Sequence, residues 1–375
     1  MSERLLGAKR IVIKIGSALL IDKTTGTVNS AWLKTLADDV AGLKAEGRDV
    51  LVVSSGAIAL GRRKLNLHDG TLNLEEAQAS AAAGQIDLVH AYQNELQPHG
   101  LTIAQVLLTL SDTEERRRYL NARDTMETLL RAGAIPVINE NDTVATSEIR
   151  FGDNDRLAAR VASMISADCL VLLSDIDGLY SADPNTSADA QFIPEVTEIT
   201  AQIEAMAGPQ AQQTASSIGS GGMATKLIAG KIAIEAGCHM VVTSGKRAHP
   251  IKALIEGERA TWFTSSDTPR AARKRWISGG LKAEGSVTVD AGAERALQDG
   301  KSLLPAGVTA IDGTFERGAS LDVKNETGQV IARGLSAYSS QDAEKIAGHK
   351  SERIEDLIGY RGRSELIHRD DLILK

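Results

Sequence analysis

Residues 10–15, RIVIKI, form a nearly continuous β-branched run with no regular alternation of polar and apolar positions. Such a run fits a strand buried on both faces, which in soluble proteins means the interior of a parallel sheet. Similar runs recur at 49–54 (DVLVVS), 101–109 (LTIAQVLLT), 134–139 (AIPVIN), 168–174 (DCLVLLS) and 238–244 (CHMVVTS). Helical patterns lie between them. SAWLKTLADDVAGLKAEG (30–47) sets Leu33, Leu36, Val40 and Leu43 on one stripe and stops at Gly47. Ser111 and Glu114 read as a capping box opening a helix that runs to about Gly133. Further helices are expected from about Asp155 to Ser166 and over 223–237. Strand–helix alternation of this kind predicts an α/β sandwich on a largely parallel sheet.

The alternation occupies residues 1–264. The next segment, 265–280 (SSDTPRAARKRWISGG), is polar and basic and reads as a linker. From 281 to 375, GSVTVD, ASLDVKN and QVIARGLSAY predict a small, mostly-β domain with a tail. With 375 residues, 42% of them hydrophobic, the chain can hold two such cores. Aromatic residues are only 3%, so Ala, Leu, Val and Ile must fill those cores. Cys169 and Cys238 both sit in apolar runs and read as small buried hydrophobes. The start, MSERLLGAKR, lacks the apolar core of a signal peptide, and no run approaches a membrane span, so a cytoplasmic location is expected. A net charge of −7 gives the whole chain no attraction to nucleic acid or an anionic membrane.

Ligands of parallel α/β sheets gather at the carboxyl ends of the strands. Here those ends lead into Gly16-Ser17, Ser55-Gly56, Glu140-Asn141-Asp142 and Asp175, so four polar loops should face one rim. Lys14, inside the first strand, is costly to bury without an anionic partner, unless its ammonium snorkels to the surface. Gly16 at the strand end would let an anion approach backbone N–H groups. SSGAI (54–58) is either a helix N-cap or an anion-holding turn. Asp142, Glu148, Asp153 and Asp155, with Asn139, Asn141 and Asn154, can serve a cation, an ammonium group or Mg²⁺, or act as turn formers and caps. In SDIDGLYSADP (174–184) turn chemistry explains most of the polar residues, and Asp175 at the strand end stands apart. GSGGMATK (219–226) has the glycines and the lysine of a phosphate loop, but not Walker or Rossmann spacing. The seven histidines fit no zinc spacing, and there is no G-x-S-x-G elbow.

The rim thus collects two lysines (Lys14 and Lys226), glycine-rich donors and carboxylates, with no evident general base. Phosphoryl transfer runs on positioning and on cations that neutralise the transferred group. A carboxylate acceptor is already ionised at neutral pH (about 4.3 for a glutamate side chain) and needs no base.

KIGS (14–17), SSGAI, NENDTVAT (139–146), GDND (152–155), DxxGLY (175–180) and GSGGMATK together resemble the amino-acid kinase family. The C-terminal segment, about 283–358, is similar to a PUA domain. The resemblance implies a three-layer sandwich. It also implies the family's branch in which the ATP γ-phosphoryl group passes to the side-chain carboxylate of glutamate, opening proline synthesis, with proline as feedback inhibitor. By motif, Lys14, Lys226 and Asp155 would be catalytic, Asp155 holding the two lysines. Ser55, Gly56, Asn139, Asp142 and Asn154 would bind glutamate, Asp142 facing the α-ammonium. Lys14, Gly16, Ser174, Asp175, Ser220, Gly221, Gly222, Met223, Ala224, Thr225 and Lys226 would line the ATP side, with Mg²⁺ arriving on the nucleotide. A homo-oligomer, dimer or tetramer, is implied as well. Ser174, Ser220 and Ala224 depart from the family's frequent residues without removing a charge. PUA modules elsewhere bind RNA, yet residues 281–375 hold 13 Lys and Arg against 16 Asp and Glu. That balance lacks an electrostatic footprint for RNA and argues for a structural or regulatory role. The alternatives are a family member acting on another carboxylate and an RNA-associated protein.

Overall fold

A computed structural model describes residues 2–22, 24–67, 70–144, 154–184, 186–206, 222–280 and 282–375. The chain divides into two compact units, Met1–Pro269 and Arg270–Lys375. The stretch expected as a linker contains a helix, Pro269–Gly280, and the division falls at its first residue. Proline suits that first helical position, where its missing N–H costs nothing.

The strands of the first unit are β1 (Arg10–Ile15), β2 (Asp49–Ser54), β3 (Ile103–Leu108), β4 (Ile135–Glu140), β5 (Cys169–Ser174), β6 (Leu179–Tyr180), β7 (Phe192–Ile193), β8 (Glu195–Val196), β9 (His239–Ser244) and β10 (Ala260–Phe263). Eight of them form one sheet in the order β3-β4-β2-β1-β5-β9-β10-β8, and β6 and β7 pair as a small antiparallel ribbon. Every pairing in the large sheet is parallel except that of β9 with β10. β1 is flanked by β2 and β5, and the strand order turns back there, which is where α/β sheets place ligands. The loops after β4, β2, β1 and β5 leave four adjacent strands at the same end, as the alternation predicted.

Both faces of the sheet are covered. Ile11, Ile13 and Ile15 pack on one side with the helix Ser30–Ala45, whose stripe of Leu33, Leu36, Val40 and Leu43 is buried. Val12, Leu51 and Val53 pack on the other with the helices Asn154–Met164 and Met223–Glu235. Lys14 shares the parity of Val12 and therefore faces this second layer. Cys169 and Cys238 are buried free thiols.

The helix after β3 departs from expectation. Its cap is Thr109, whose side chain accepts from the Asp112 N–H while Asp112 answers the Thr109 N–H, so the box lies two residues before Ser111. Thr109 is the first residue past β3 and keeps an extended backbone, whereas Ser111 already lies inside the turn. The helix then breaks at Glu115, which is extended, and resumes as Arg116–Arg131.

A long helix absent from the sequence reading, Leu74–Leu96, crosses the shorter helix Ala57–Lys64 at backbone contact distance. A Cβ at Gly61 would lie 1.7 Å from the Ser80 carbonyl oxygen, and one at Gly84 would lie 1.9 Å from that of Ala57. Only glycine fits either position.

The second unit carries a sheet in the order β12-β11-β13-β14-β15, with β11 at Gly285–Val289, β12 at Val308–Asp312, β13 at Ser320–Lys324, β14 at Val330–Leu335 and β15 at Leu372–Leu374. β11, β13 and β14 match the three predicted strands. β15, in the tail, pairs antiparallel with β14 and completes the sheet. Within the basic stretch expected as a linker, Arg273 donates to Asp371 at 2.9 Å and Arg270 lies 3.6 Å from Asp370. Those charges are answered within the unit.

Replacing Gly61 with alanine should separate the two crossing helices and destabilise the first unit by about 1–3 kcal/mol. A fall in the urea midpoint at unchanged slope is the expected reading; an unshifted midpoint would mean the helices part freely.

Candidate active site

The rim after β1 holds a buried cluster of three charged side chains. Lys14 is 7% exposed, Lys226 4% and Asp155 1%. Lys14 Nζ lies 2.6 Å from Asp155 Oδ1, and Lys226 Nζ lies 3.1 Å from Oδ2. Thr225 Oγ1 also donates to Oδ2, at 2.9 Å. The surface-snorkelling reading of Lys14 is thereby excluded. Burial alone would raise the Asp155 carboxyl; Lys14 and Lys226 outweigh it and hold it well below the usual carboxylate range.

Local structure explains how three distant residues meet. Lys14 stands one residue from the end of β1, Asp155 lies in the first turn of Asn154–Met164, and Lys226 lies in the first turn of Met223–Glu235. A carboxylate at a helix N-terminus is favoured by the helix dipole, while a lysine there is disfavoured. Asp155 therefore compensates Lys226 as well as Lys14. The triad alone sums to one positive charge, presented where two helix N-termini converge.

Gly222 caps the second of these helices with an extended backbone and no side-chain hydrogen bond, and a Cβ there would meet nothing within 4 Å. Met223, Ala224 and Thr225 form the first turn with Lys226. Ser220 and Gly221 lie outside the described residues, as do Glu148 and Asp153. At Gly16 the backbone is ordinary, but a Cβ would stand 3.9 Å from Lys14 Nζ, so the glycine keeps that flank of the ammonium open. Ser174 is buried at the end of β5 and its Oγ donates to Asp175, which is exposed.

On the other flank, a hydrogen-bonded set joins β2, β4 and the helix that starts at Asn154. Asn154 Nδ2 donates to the Ser54 carbonyl at 3.1 Å, to Ser55 Oγ at 2.7 Å and to Asn139 Oδ1 at 3.1 Å. Ser55 is thus an acceptor for Asn154 and not a helix cap. The cap is Gly56, at φ 119°, where a Cβ would press on Ile21. Asn139 Oδ1 also accepts from the Glu140 N–H, and its Nδ2 donates to Gln85 Oε1 at 2.8 Å. Tyr92 supports the floor, its hydroxyl donating to Ser54 Oγ at 2.9 Å. Gln85 and Tyr92 both come from Leu74–Leu96. The sequence reading missed them because an alanine-rich helix carries no motif; AAAGQ, with a glycine beside a glutamine, was the one available signal.

Asp142 is 8% exposed, and burial pushes its carboxyl up to about 7. A buried carboxylate with no cation among the described residues beside it is suited to receive one from a ligand. The structure therefore brings together Lys14, Lys226 and Asp155, and separately Ser55, Asn139 and Asn154, while Asn154 and Asp155 are neighbours that join the two sets.

A lysine pair held on one carboxylate and a set of hydrogen-bonded amides beside it lie at one end of a parallel sheet. The model of the amino acid kinase family matches residues 9–244, and the chain belongs to that family. The PUA domain model matches residues 285–358. Three relatives narrow the class to one branch, that of glutamate 5-kinase. The chain is 60% identical over 371 residues to the glutamate 5-kinase of Paramagnetospirillum magneticum, covering 99% of each chain. It is 59% identical to that of Rhodospirillum rubrum, covering 97% of this chain and 96% of the other, and 59% identical to that of Brucella ovis, covering 100% and 98%.

Because the folded pKa of Asp142 lies above its unfolded value of 3.8, ionising it opposes folding from about pH 4 upward. The penalty is complete above about pH 7. Asp142→Asn should therefore stabilise the ligand-free protein by up to about 4 kcal/mol at pH 8 and by little at pH 4. Melting curves of variant and wild type across this range test it; a gap that does not change with pH would contradict the assignment.

Proposed function

We propose that this chain transfers the γ-phosphoryl group of ATP to the side-chain carboxylate of L-glutamate, giving L-glutamyl 5-phosphate, the first step of proline biosynthesis. The observation that carries this reading is the buried Lys14–Asp155–Lys226 triad at the end of β1, with the buried Asp142 following β4 at the same end of the sheet. The branch of the family supports the same substrate pair.

In this mechanism Lys14 and Lys226 flank the transferring group and neutralise charge that spreads over its oxygens. Asp155 is a positioning residue, since its oxygens are engaged by the two lysines and Thr225. It acts neither as a base nor as a free metal ligand. The acceptor carboxylate is already ionised and attacks in line, so no proton has to leave it. Asp142 takes the α-ammonium, and Ser55, Gly56, Asn139 and Asn154 frame the rest of the amino acid. Ser174, Asp175 and the segment from Ser220 to Thr225 line the nucleotide. Mg²⁺ would come with ATP and supply further neutralisation of phosphate charge. Among the described residues no cluster of three His, Cys, Asp or Glu side chains is placed to hold a metal ion.

Proline presents an α-carboxylate and a secondary α-ammonium in place of glutamate's primary one, and on this reading competes for the same groups as a feedback inhibitor. A homo-oligomer, dimer or tetramer, belongs to the proposal. So does a cytoplasmic location, and among the described residues no helix is long and apolar enough to cross a membrane. For the PUA domain a structural or regulatory role is favoured over RNA binding by its acidic balance and by the pairing of Arg270 and Arg273.

Incubation with ATP, Mg²⁺, glutamate and hydroxylamine should yield the hydroxamate of a trapped acyl phosphate, and added proline should raise the apparent glutamate KM. Product with aspartate or acetylglutamate but none with glutamate would overturn the substrate assignment.

A further inference from the structure

Once the hydrogen bonds around Asn139 are assigned, two buried amide atoms are left without a partner among the described residues, and their chemical sense is fixed. The Glu140 backbone N–H donates to Asn139 Oδ1, so Nδ2 of Asn139 must be the donor to Gln85. Gln85 therefore turns Oε1 toward Asn139, leaving Nε2 as a donor. That Nε2 is buried and has no partner among the described residues. Likewise the Ser54 carbonyl can only accept, so Asn154 presents Nδ2 to it and leaves Oδ1 buried and unpartnered. An orphaned donor and an orphaned acceptor are each tied through Asn139 in β4, the strand that Asp142 follows. Leaving such groups empty is costly, and a ligand that supplies the complementary groups recovers that cost.

We propose that Gln85 is a substrate-binding residue whose Nε2–H donates to the α-carboxylate of the amino-acid substrate, while Asn154 Oδ1 and Asp142 face its α-ammonium. This rests on the glutamate reading above and extends it to a residue that no motif marked. The placement decides which carboxylate is held. Gln85 is tied to the end of β4, two strands from β1 in the sheet, and neighbouring strands lie about 4.8 Å apart. The reacting carboxylate must reach the lysines at β1, so the group at Gln85 belongs to the opposite, non-reacting end. The Gly61–Gly84 crossing explains how a helix outside the rim delivers the residue. Gly84 lets the backbone beside Gln85 touch that of Ala57, immediately after Ser55-Gly56.

Two substitutions separate binding from mere support of Asn139. Gln85→Glu keeps an oxygen for Asn139 but replaces the donor with a negative oxygen. Gln85→Ala removes both. If Gln85 holds the α-carboxylate, Gln85→Ala raises the glutamate KM by roughly 10- to 100-fold, the range for a hydrogen bond to a charged group. Gln85→Glu raises it further, with kcat and the ATP KM little changed. If Gln85 only supports Asn139, Gln85→Glu behaves as wild type, and that result overturns the proposal. A fall in kcat at unchanged glutamate KM would overturn it too. Should Gln85→Ala fail to fold, Gln85→Glu decides alone. A wild-type chain that makes no hydroxamate with glutamate sinks the kinase reading itself, whereas active wild type with an unaffected Gln85→Glu sinks only this assignment.

Discussion

Everything at the rim depends on one buried carboxylate. Without Asp155, two lysines would sit desolvated side by side, each at a cost of several kcal/mol and each repelling the other. With it, both are held by the same group at 2.6 and 3.1 Å, and the cluster keeps a surplus positive charge. Such a cluster is poor as a stabilising device, because ion pairs of this kind seldom repay their desolvation. It makes sense as a preorganised site, since the field is in place before the ligand arrives and nothing must reorient during reaction.

The same helix start serves both halves of the pocket. Asn154 reaches toward Ser54, Ser55 and Asn139, while Asp155, next in sequence, reaches toward the lysines. A displacement of this one turn would therefore disturb amino-acid and phosphate positioning together. The substrate flank is braced further by Tyr92 beneath Ser54 and by Gln85 beside Asn139. Both depend on a glycine crossing that allows helices to meet backbone to backbone.

How much of this could be read from the chain follows from how local each cause is. β1, β2, β4, β5 and β9 were legible because strands buried on both faces leave an unbroken apolar run. The rim followed from the order of strands and loops, and Lys14 stood out as a charge inside such a run. That it meets Asp155 and Lys226 is a tertiary fact, which the motif resemblance supplied and periodicity did not. The capping box at Thr109–Asp112 was misplaced because Ser111–Glu114 offers the same residue types in the same spacing; only the end of β3 decides between them. The helix Leu74–Leu96 was missed because alanines on every side obscure the stripe it buries, Ala77, Ala81, Gly84, Leu88, Tyr92 and Leu96. With it went Gln85, whose role depends on which amide atoms its neighbours leave unpaired.

The central claim is that Asp155 acts through the two lysines as one unit, and a kinetic double-mutant cycle tests it most directly. Asp155→Asn, Lys226→Met and the double variant are compared for kcat with saturating ATP and glutamate. Residues that act as a unit lose function once, so the double variant should be about as slow as the slower single variant. Losses that multiply would show that Asp155 and Lys226 contribute independently, and the account of the site as a clamp built on one carboxylate would fail.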